Sequence, residues 1–136
     1  MAIRYLRMMK ADIDELPLID RGQRDCLAVR SEETNNIHKN QVIDIELTTD
    51  GKFVHLAQGL SLTIPPKSNI PEQLFKPKRM LNCYEIEGAA LNQNLHLKII
   101  EDSDTHAMIV PKYDMHITEY EQHLEATRHL WGKHDG

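Results

Sequence analysis

Polar side chains suited to binding a nucleotide occur on three separate predicted strands. Arg4 and Arg7 lie in and beside the first strand, and a guanidinium can hold a phosphate or diphosphate through two parallel hydrogen bonds. Ser61 and Thr63 place hydroxyls on one face of a middle strand. His106 opens a late strand. An arginine, a hydroxyl and a histidine from separate strands together predict a cleft of nucleotide size.

The same residues also have purely structural interpretations. In these, Arg4 and Arg7 are surface charges, Ser61 faces water, and His106 hydrogen-bonds the acidic turn at 101–104. Most lone polar residues do not mark a functional site, because side chains in purely structural ion pairs can also have perturbed pKa values. The residue types alone leave both interpretations open.

Composition limits the class of protein and its partners. A chain of 136 residues with 40% hydrophobic and 27% charged residues predicts one globular domain spanning 1–136. The formal net charge is −5, and the basic residues are dispersed except for Lys76-Pro77-Lys78-Arg79, which we expect in a solvated loop. Sequence-specific nucleic-acid binding is therefore disfavoured, because it normally needs a dense basic surface.

The cysteines and the hydropathy pattern predict a soluble, cytoplasmic protein that does not enter a membrane. Cys26 and Cys83 stand in apolar contexts without the spacing of a metal or redox motif, so we expect buried, reduced thiols. No apolar run reaches the roughly 18 residues that a membrane-spanning helix needs.

Hydrophobic periodicity predicts many short strands and one substantial helix. Strands are predicted at 4–9, 26–30, 41–47, 53–56, 59–64, 84–87, 95–100 and 106–110, with an Asp50-Gly51 hairpin turn, a surface loop at 31–40 and one helical turn at 70–75. A capping box of Thr118 and Glu121 would start the C-terminal helix, whose packing face carries Tyr120, Leu124, Thr127 and Trp131. The fold class is α+β with a small, mainly antiparallel sheet and a C-terminal α-helix.

Other chemistry has little support in the motifs. His116, His123 and His129 are seven and six residues apart, not the four that place two imidazoles on one helix face, so no metal site is predicted. Glu119 and His123 are four apart and predict a surface pair. The chain has neither a Gly-x-Ser-x-Gly nucleophile turn nor a phosphate-binding glycine loop.

The C-terminal pattern resembles a known family of toxins. Thr105-His106-x-x-Ile109-x-Pro111, then Met115, Glu119-Tyr120 and His123-Leu124, is similar to the corresponding part of small type VI secretion effector toxins with an ADP-ribosyltransferase-like fold. Asp50-Gly51-x-Phe53-Val54, Gly59 and Ile70-Pro71-x-x-Leu74 follow the same order, so the resemblance covers about residues 41–131.

That resemblance implies a split β-sheet around a cleft for NAD, which would be the substrate. Arg7 or Arg4 would anchor the phosphates, Ser61, with Thr63 beside it, would orient the nicotinamide ribose, and His106 would be a catalytic cleft residue with Ser61. It also implies toxicity in the cytoplasm of a target cell and a cognate antitoxin or immunity protein. The Glu-x-Glu or Gln-x-Glu of active transferases is not found at the start of a late strand, although Glu85-Ile86-Glu87 has the right letters.

Two other functions remain open from the sequence. A non-catalytic interaction module, such as an immunity or adaptor protein, would use the acidic surface to meet a basic partner. A ribonuclease-type toxin would use His106 as the acid–base group and Arg7 as the phosphate contact, and the low basic content disfavours it.

Overall fold

The protein is built on one six-stranded antiparallel sheet. The computed structural model describes residues 3–20, 25–29, 54 and 58–134. The strands follow the order β4-β5-β2-β1-β3-β6 across the sheet. Their bounds are β1 Arg4–Met9, β2 Leu60–Thr63, β3 Asn82–Glu87, β4 Leu97–Glu101, β5 His106–Pro111 and β6 Gly132–Lys133. The α+β class, the antiparallel sheet and a C-terminal helix are therefore confirmed.

Side chains alternate between the two faces of the sheet along each strand, and each face carries its own cluster of buried apolar residues. One face, the core face, carries Tyr5, Leu60 and Ile109 and belongs to the main hydrophobic core. The opposite face, the outer face, carries Leu6 and Met8, which pack in a smaller cluster with Ile70 and Cys83. By the same alternation, Ser61, Thr63 and His106 lie on the outer face.

The sheet is continuous, and its sparsest pairing, which we call the split, lies between β1 and β2. The two strands share one register pair, Leu6 with Thr63, whereas β1 and β3 pair along six residues. On its other side β2 pairs fully with β5, from Leu60 opposite Ile109 to Thr63 opposite His106. At the split, the side chain of Arg7 in β1 bonds the Ser61 carbonyl of β2.

In the part of the chain that the structure describes, two α-helices accompany the sheet. The first, α1, is Gly88–Asn92, a helix of 5 residues that the pattern of hydrophobic residues does not predict. The second, α2, is Ile117–Glu125, and its N-cap is His116, whose Nδ1 accepts from the amide of Thr118 at 3.1 Å. The predicted capping box therefore places the N-cap at Thr118, two residues after the observed one. Tyr120 and Leu124 are fully buried against the core face, as predicted.

The outer face is covered by three 3₁₀ turns, Lys67–Asn69, Glu72–Phe75 and Pro77–Arg79. The single helical turn predicted at 70–75 is confirmed by the second of them. Ile70 is buried, and Leu74 packs against the outer cluster. The amide side chain of Asn69 donates to the carbonyl of Ile64 at 2.9 Å, fixing the segment to the end of β2.

The predicted strand at 26–30 is wrong for its described residues. Residues 26–29 are buried but make no strand ladder. Their neighbourhood is instead joined by single hydrogen bonds, Lys10 N–H to the Asp25 carbonyl and Leu27 N–H to the Leu18 carbonyl. Residues 12–18 form a turn. The predicted hairpin at 41–56 and the loop at 31–40 lie outside the described residues, apart from Val54.

Within the described part of the chain, every helix is too short or too polar to cross a lipid bilayer.

Tyr5 gives the fold a measurable dependence on alkaline pH. Its hydroxyl donates to Glu101 Oε2 at 2.7 Å, and burial, reinforced by that hydrogen bond, raises the pKa of Tyr5 to about 12. Because the unfolded pKa is about 10, this stabilisation is complete below pH 10 and is lost as the pH rises towards 12. We expect urea unfolding to show a smaller alkaline loss in Tyr5→Phe than in the wild type. Identical pH profiles would contradict this role.

Candidate functional site

The split in the sheet opens into a cavity on the outer face. Its volume is about 270 Å³, and its apolar walls come from β1, β2 and the 3₁₀ segment. The apolar lining residues are Leu6, Met8, Leu62, Ile70, Pro71 and Leu74. The polar lining residues are Arg7, Asp25, Ser61, Thr63 and His106. Four of the five predicted site residues therefore line one concave surface, although they are as many as 99 positions apart in sequence (106 − 7).

Arg7 holds the two sides of the split together. Its Nη1 donates to the carbonyl of Ser61 at 2.9 Å, while Nη2 and Nε donate to the carbonyl of Cys26 at 3.0 and 3.3 Å. Charge-assisted hydrogen bonds of this kind are stronger than neutral ones. Arg7 therefore stabilises the structure around the cavity and also contributes positive charge to its wall.

His106 is oriented by a carboxylate. Its Nδ1 lies 2.6 Å from Asp102 Oδ1, and both side chains remain partly exposed. The tight turn before β5 fixes this geometry, because Ser103 Oγ accepts from the amides of Thr105 and His106. When Nδ1 donates to the carboxylate, Nε2 keeps the lone pair and can accept a proton. His106 thus pairs with the acidic turn, as in its structural interpretation, and also lines the cavity.

Two hydroxyls face the cavity from β2. Thr63 is opposite His106, and Ser61 is opposite Met108 in the register of β2 and β5. Thr63 and His106 therefore stand side by side, because directly opposed residues of an antiparallel pair have Cβ atoms about 4.5–5.5 Å apart. Ser61 is exposed, which agrees with the structural interpretation that it faces water.

Asp25 adds a carboxylate that the sequence did not indicate. It has a positive φ of 64° and lines the cavity. Its Oδ2 accepts from Arg79 Nη2 at 2.7 Å, with side chains only 13% and 19% exposed. Arg79 belongs to the basic run that was predicted to be solvated, so this arginine departs from that prediction by entering a half-buried ion pair.

Arg4 is not brought to the cavity. It points towards β3, where Nη1 donates to Glu85 Oε2 at 2.9 Å. This pairing holds the pKa of Glu85 below its usual range, with His134 as a second partner. Of the two arginines predicted to anchor phosphates, only Arg7 lines the cavity. Glu85, the first carboxylate of the Glu-x-Glu sequence at 85–87, pairs with Arg4 and does not line the cavity.

Both cysteines are buried thiols outside any disulfide, as predicted. Burial raises the pKa of the Cys26 thiol and of the Cys83 thiol. A thiol with a raised pKa is a poor nucleophile at neutral pH. Neither thiol is therefore suited to act as a nucleophile in the cavity.

Sequence reasoning anticipated one carboxylate of the site and missed another. Asp102 belongs to the acidic turn at 101–104, which the structural interpretation of His106 already gave as the partner of that histidine. Asp25 has no such signal, because its place in the cavity depends on the path of residues 25–29 beneath Arg7.

Comparison with known proteins does not extend this description. No family model matches the chain, and neither the curated proteins nor the solved structures contain a match. The resemblance to effector toxins with an ADP-ribosyltransferase-like fold stays a prediction.

Proposed function

We propose that the cavity between β1 and β2 binds the nicotinamide–ribose end of NAD and that the protein is a toxin-like ADP-ribosyltransferase or NAD glycohydrolase. The observation that carries the proposal is the convergence of Arg7, Ser61, Thr63 and His106 on one cavity. In this scheme the protein acts in the cytoplasm of a target cell, and an antitoxin or immunity protein is its cognate partner.

The size and lining of the cavity suit one end of the dinucleotide. Pockets that bury most of a drug-sized ligand have volumes of about 300–1,000 Å³. At about 270 Å³ the cavity matches a nicotinamide and its ribose, with the remaining ADP moiety outside. The apolar walls would pack against the nicotinamide ring, and the hydroxyls of Ser61 and Thr63 would hydrogen-bond the ribose. Arg7 would draw the phosphates towards the split.

The His106–Asp102 pair would supply the base. In hydrolysis, the bond between ribose C1′ and the nicotinamide nitrogen breaks, and the bonding electrons leave with nicotinamide. A water oxygen then bonds to C1′, and His106 Nε2 takes the proton of that water while Asp102 keeps Nδ1 protonated. Asp25 is the carboxylate that would stabilise the positive charge developing on the sugar.

Nicotinamide release tests this function. The purified protein is incubated with NAD, and nicotinamide is quantified by chromatography. We expect His106→Ala to lower the rate about 100-fold or more, the usual contribution of a positioned general base. His129→Ala is the matched control, because His129 is exposed in the turn after α2 and does not line the cavity. Equal rates in both variants, or no release by the wild type, would overturn the proposal.

A non-catalytic interaction module is the second candidate, and the hydrogen bonds of Arg7 favour it. The three donors that bond the carbonyls of Ser61 and Cys26 give this arginine a sufficient structural reason to be present. Such a module would show no thermal shift with millimolar NAD. Its acidic surface would bind a basic partner protein instead.

A further inference from the structure

A second group of polar side chains lies on the other side of the sheet. His96, just before β4, meets Glu119 and His123 of α2, and the three possible ligand atoms lie within 4.8 Å of one another. Because α2 packs on the core face, this group is separated from the cavity by the sheet itself. The spacing along the chain did not indicate a metal site, since the third residue comes from a distant segment.

The carboxylate and one imidazole already have the separation of metal ligands. His123 Nε2 lies 3.3 Å from Glu119 Oε2, which confirms the predicted pair. Two ligands of a tetrahedral Zn²⁺ stand about 3.3 Å apart, because the metal–ligand bonds are about 2.0–2.1 Å long. His96 completes the group, and a longest separation of 4.8 Å leaves at most about 1.5 Å between ligand atoms to close.

Tyr113 fixes the tautomer of His96. The tyrosine hydroxyl donates to Glu119 Oε2 at 3.1 Å, so its oxygen accepts from His96 Nδ1 at 2.6 Å. Nε2 of His96 then carries the lone pair. Metal-ligating histidines usually hold their second nitrogen in a hydrogen bond of this kind, which orients the ring.

The two imidazoles are stacked, with ring centroids 3.8 Å apart and planes at 11°. Lone pairs of imidazole lie in the ring plane, so two parallel rings cannot aim at one ion. Binding therefore requires one ring to rotate out of the stack. The His123 and Glu119 side chains are only 22% and 43% exposed, so the site is partly sheltered but open to solvent.

We propose that His96, Glu119 and His123 form a site for a divalent transition metal such as Zn²⁺, with Tyr113 as the orienting neighbour. Two imidazoles and a carboxylate suit borderline metals rather than Mg²⁺ or Ca²⁺. Three protein ligands leave a fourth position for water or an external ligand. A bound ion would also join the start of β4 to α2.

Calorimetric titration of the full chain with ZnCl₂ tests the site. We expect one Zn²⁺ per chain at saturation and a raised thermal midpoint, because the ion binds only the folded arrangement. His96→Gln and His123→Gln should each weaken binding at least about 10-fold, and Tyr113→Phe by about 10-fold. His129→Gln, which changes an exposed histidine outside the group, should bind as the wild type does.

CoCl₂ is the second probe, since its visible absorption reports the ligand geometry directly. A tetrahedral spectrum in the wild type that is lost in His96→Gln supports the site, provided that circular dichroism shows the variant folded. Zn²⁺ binding equal in His96→Gln and the wild type would overturn the proposal. Weak, unsaturated uptake that falls equally in His96→Gln and His129→Gln would also overturn it, because that is scattered adsorption to histidines.

Discussion

The Gly59→Ala variant is expected to lose about 4 kcal/mol or more of its free energy of unfolding, the largest effect of any single change considered. Gly59 precedes β2 where the chain passes tightly against β5. A Cβ added there would lie 1.8 Å from the carbonyl oxygen of Ile109 and 2.8 Å from the hydroxyl of Tyr120. Ile109 cannot move away cheaply, because it is fully buried in the core and paired with Leu60.

The clash would also break a buried hydrogen-bonding junction. The Tyr120 hydroxyl accepts from the Leu60 amide at 2.9 Å and donates to the Ile109 carbonyl at 2.6 Å, joining α2 to both strands. Urea unfolding measures the loss. Gly132→Ala is the matched control, since a Cβ at Gly132 meets nothing within 4 Å. Equal unfolding midpoints for the two variants would show that β2 and β5 do not approach as described.

The Arg7→Ala variant is expected to lose about 2–4 kcal/mol of its free energy of unfolding, together with NAD turnover. Removing the guanidinium leaves the carbonyls of Ser61 and Cys26 without their charged donor, where β1 and β2 share only one register pair. Chemical unfolding and nicotinamide release would be measured on the same preparation.

Arg4→Ala is the natural control for Arg7→Ala, because it removes an arginine of the same strand that lies outside the cavity. The Arg4 side chain is 64% exposed in its pair with Glu85, so its loss should leave stability and turnover close to those of the wild type. Equal stability of the two arginine variants would contradict the clamping role of Arg7. Loss of nicotinamide release in Arg7→Ala alone would not identify a phosphate contact, since the cavity itself would deform.

Local sequence patterns predicted the strands that position the site. The bounds of β1 follow from its β-propensity and hydrophobic content, and the alternation of Leu60, Ser61, Leu62 and Thr63 places both hydroxyls on one face. The turn preceding His106 is signalled by its acidic residues. These features depend on neighbours within a few positions, which is why periodicity and turn chemistry capture them.

The remaining features depend on tertiary contacts. His116 caps α2 because its ring turns back to the amide of Thr118, a rarer cap than the threonine that the capping box suggested. Residues 26–29 are apolar because they are buried, not because they form a strand. Likewise, His96 comes near His123 only when the start of β4 packs beside α2, so no spacing along the chain reveals that group.

The most direct test of NAD binding in the split of the sheet is calorimetric titration with NAD. The wild type is predicted to bind one NAD per chain, and Ser61→Leu, which fills the cavity from an exposed position of β2, is predicted to bind none while remaining folded. Arg4→Ala should bind NAD as the wild type does. Binding retained in Ser61→Leu, or no binding by the wild type at millimolar NAD, would contradict the assignment of this cavity.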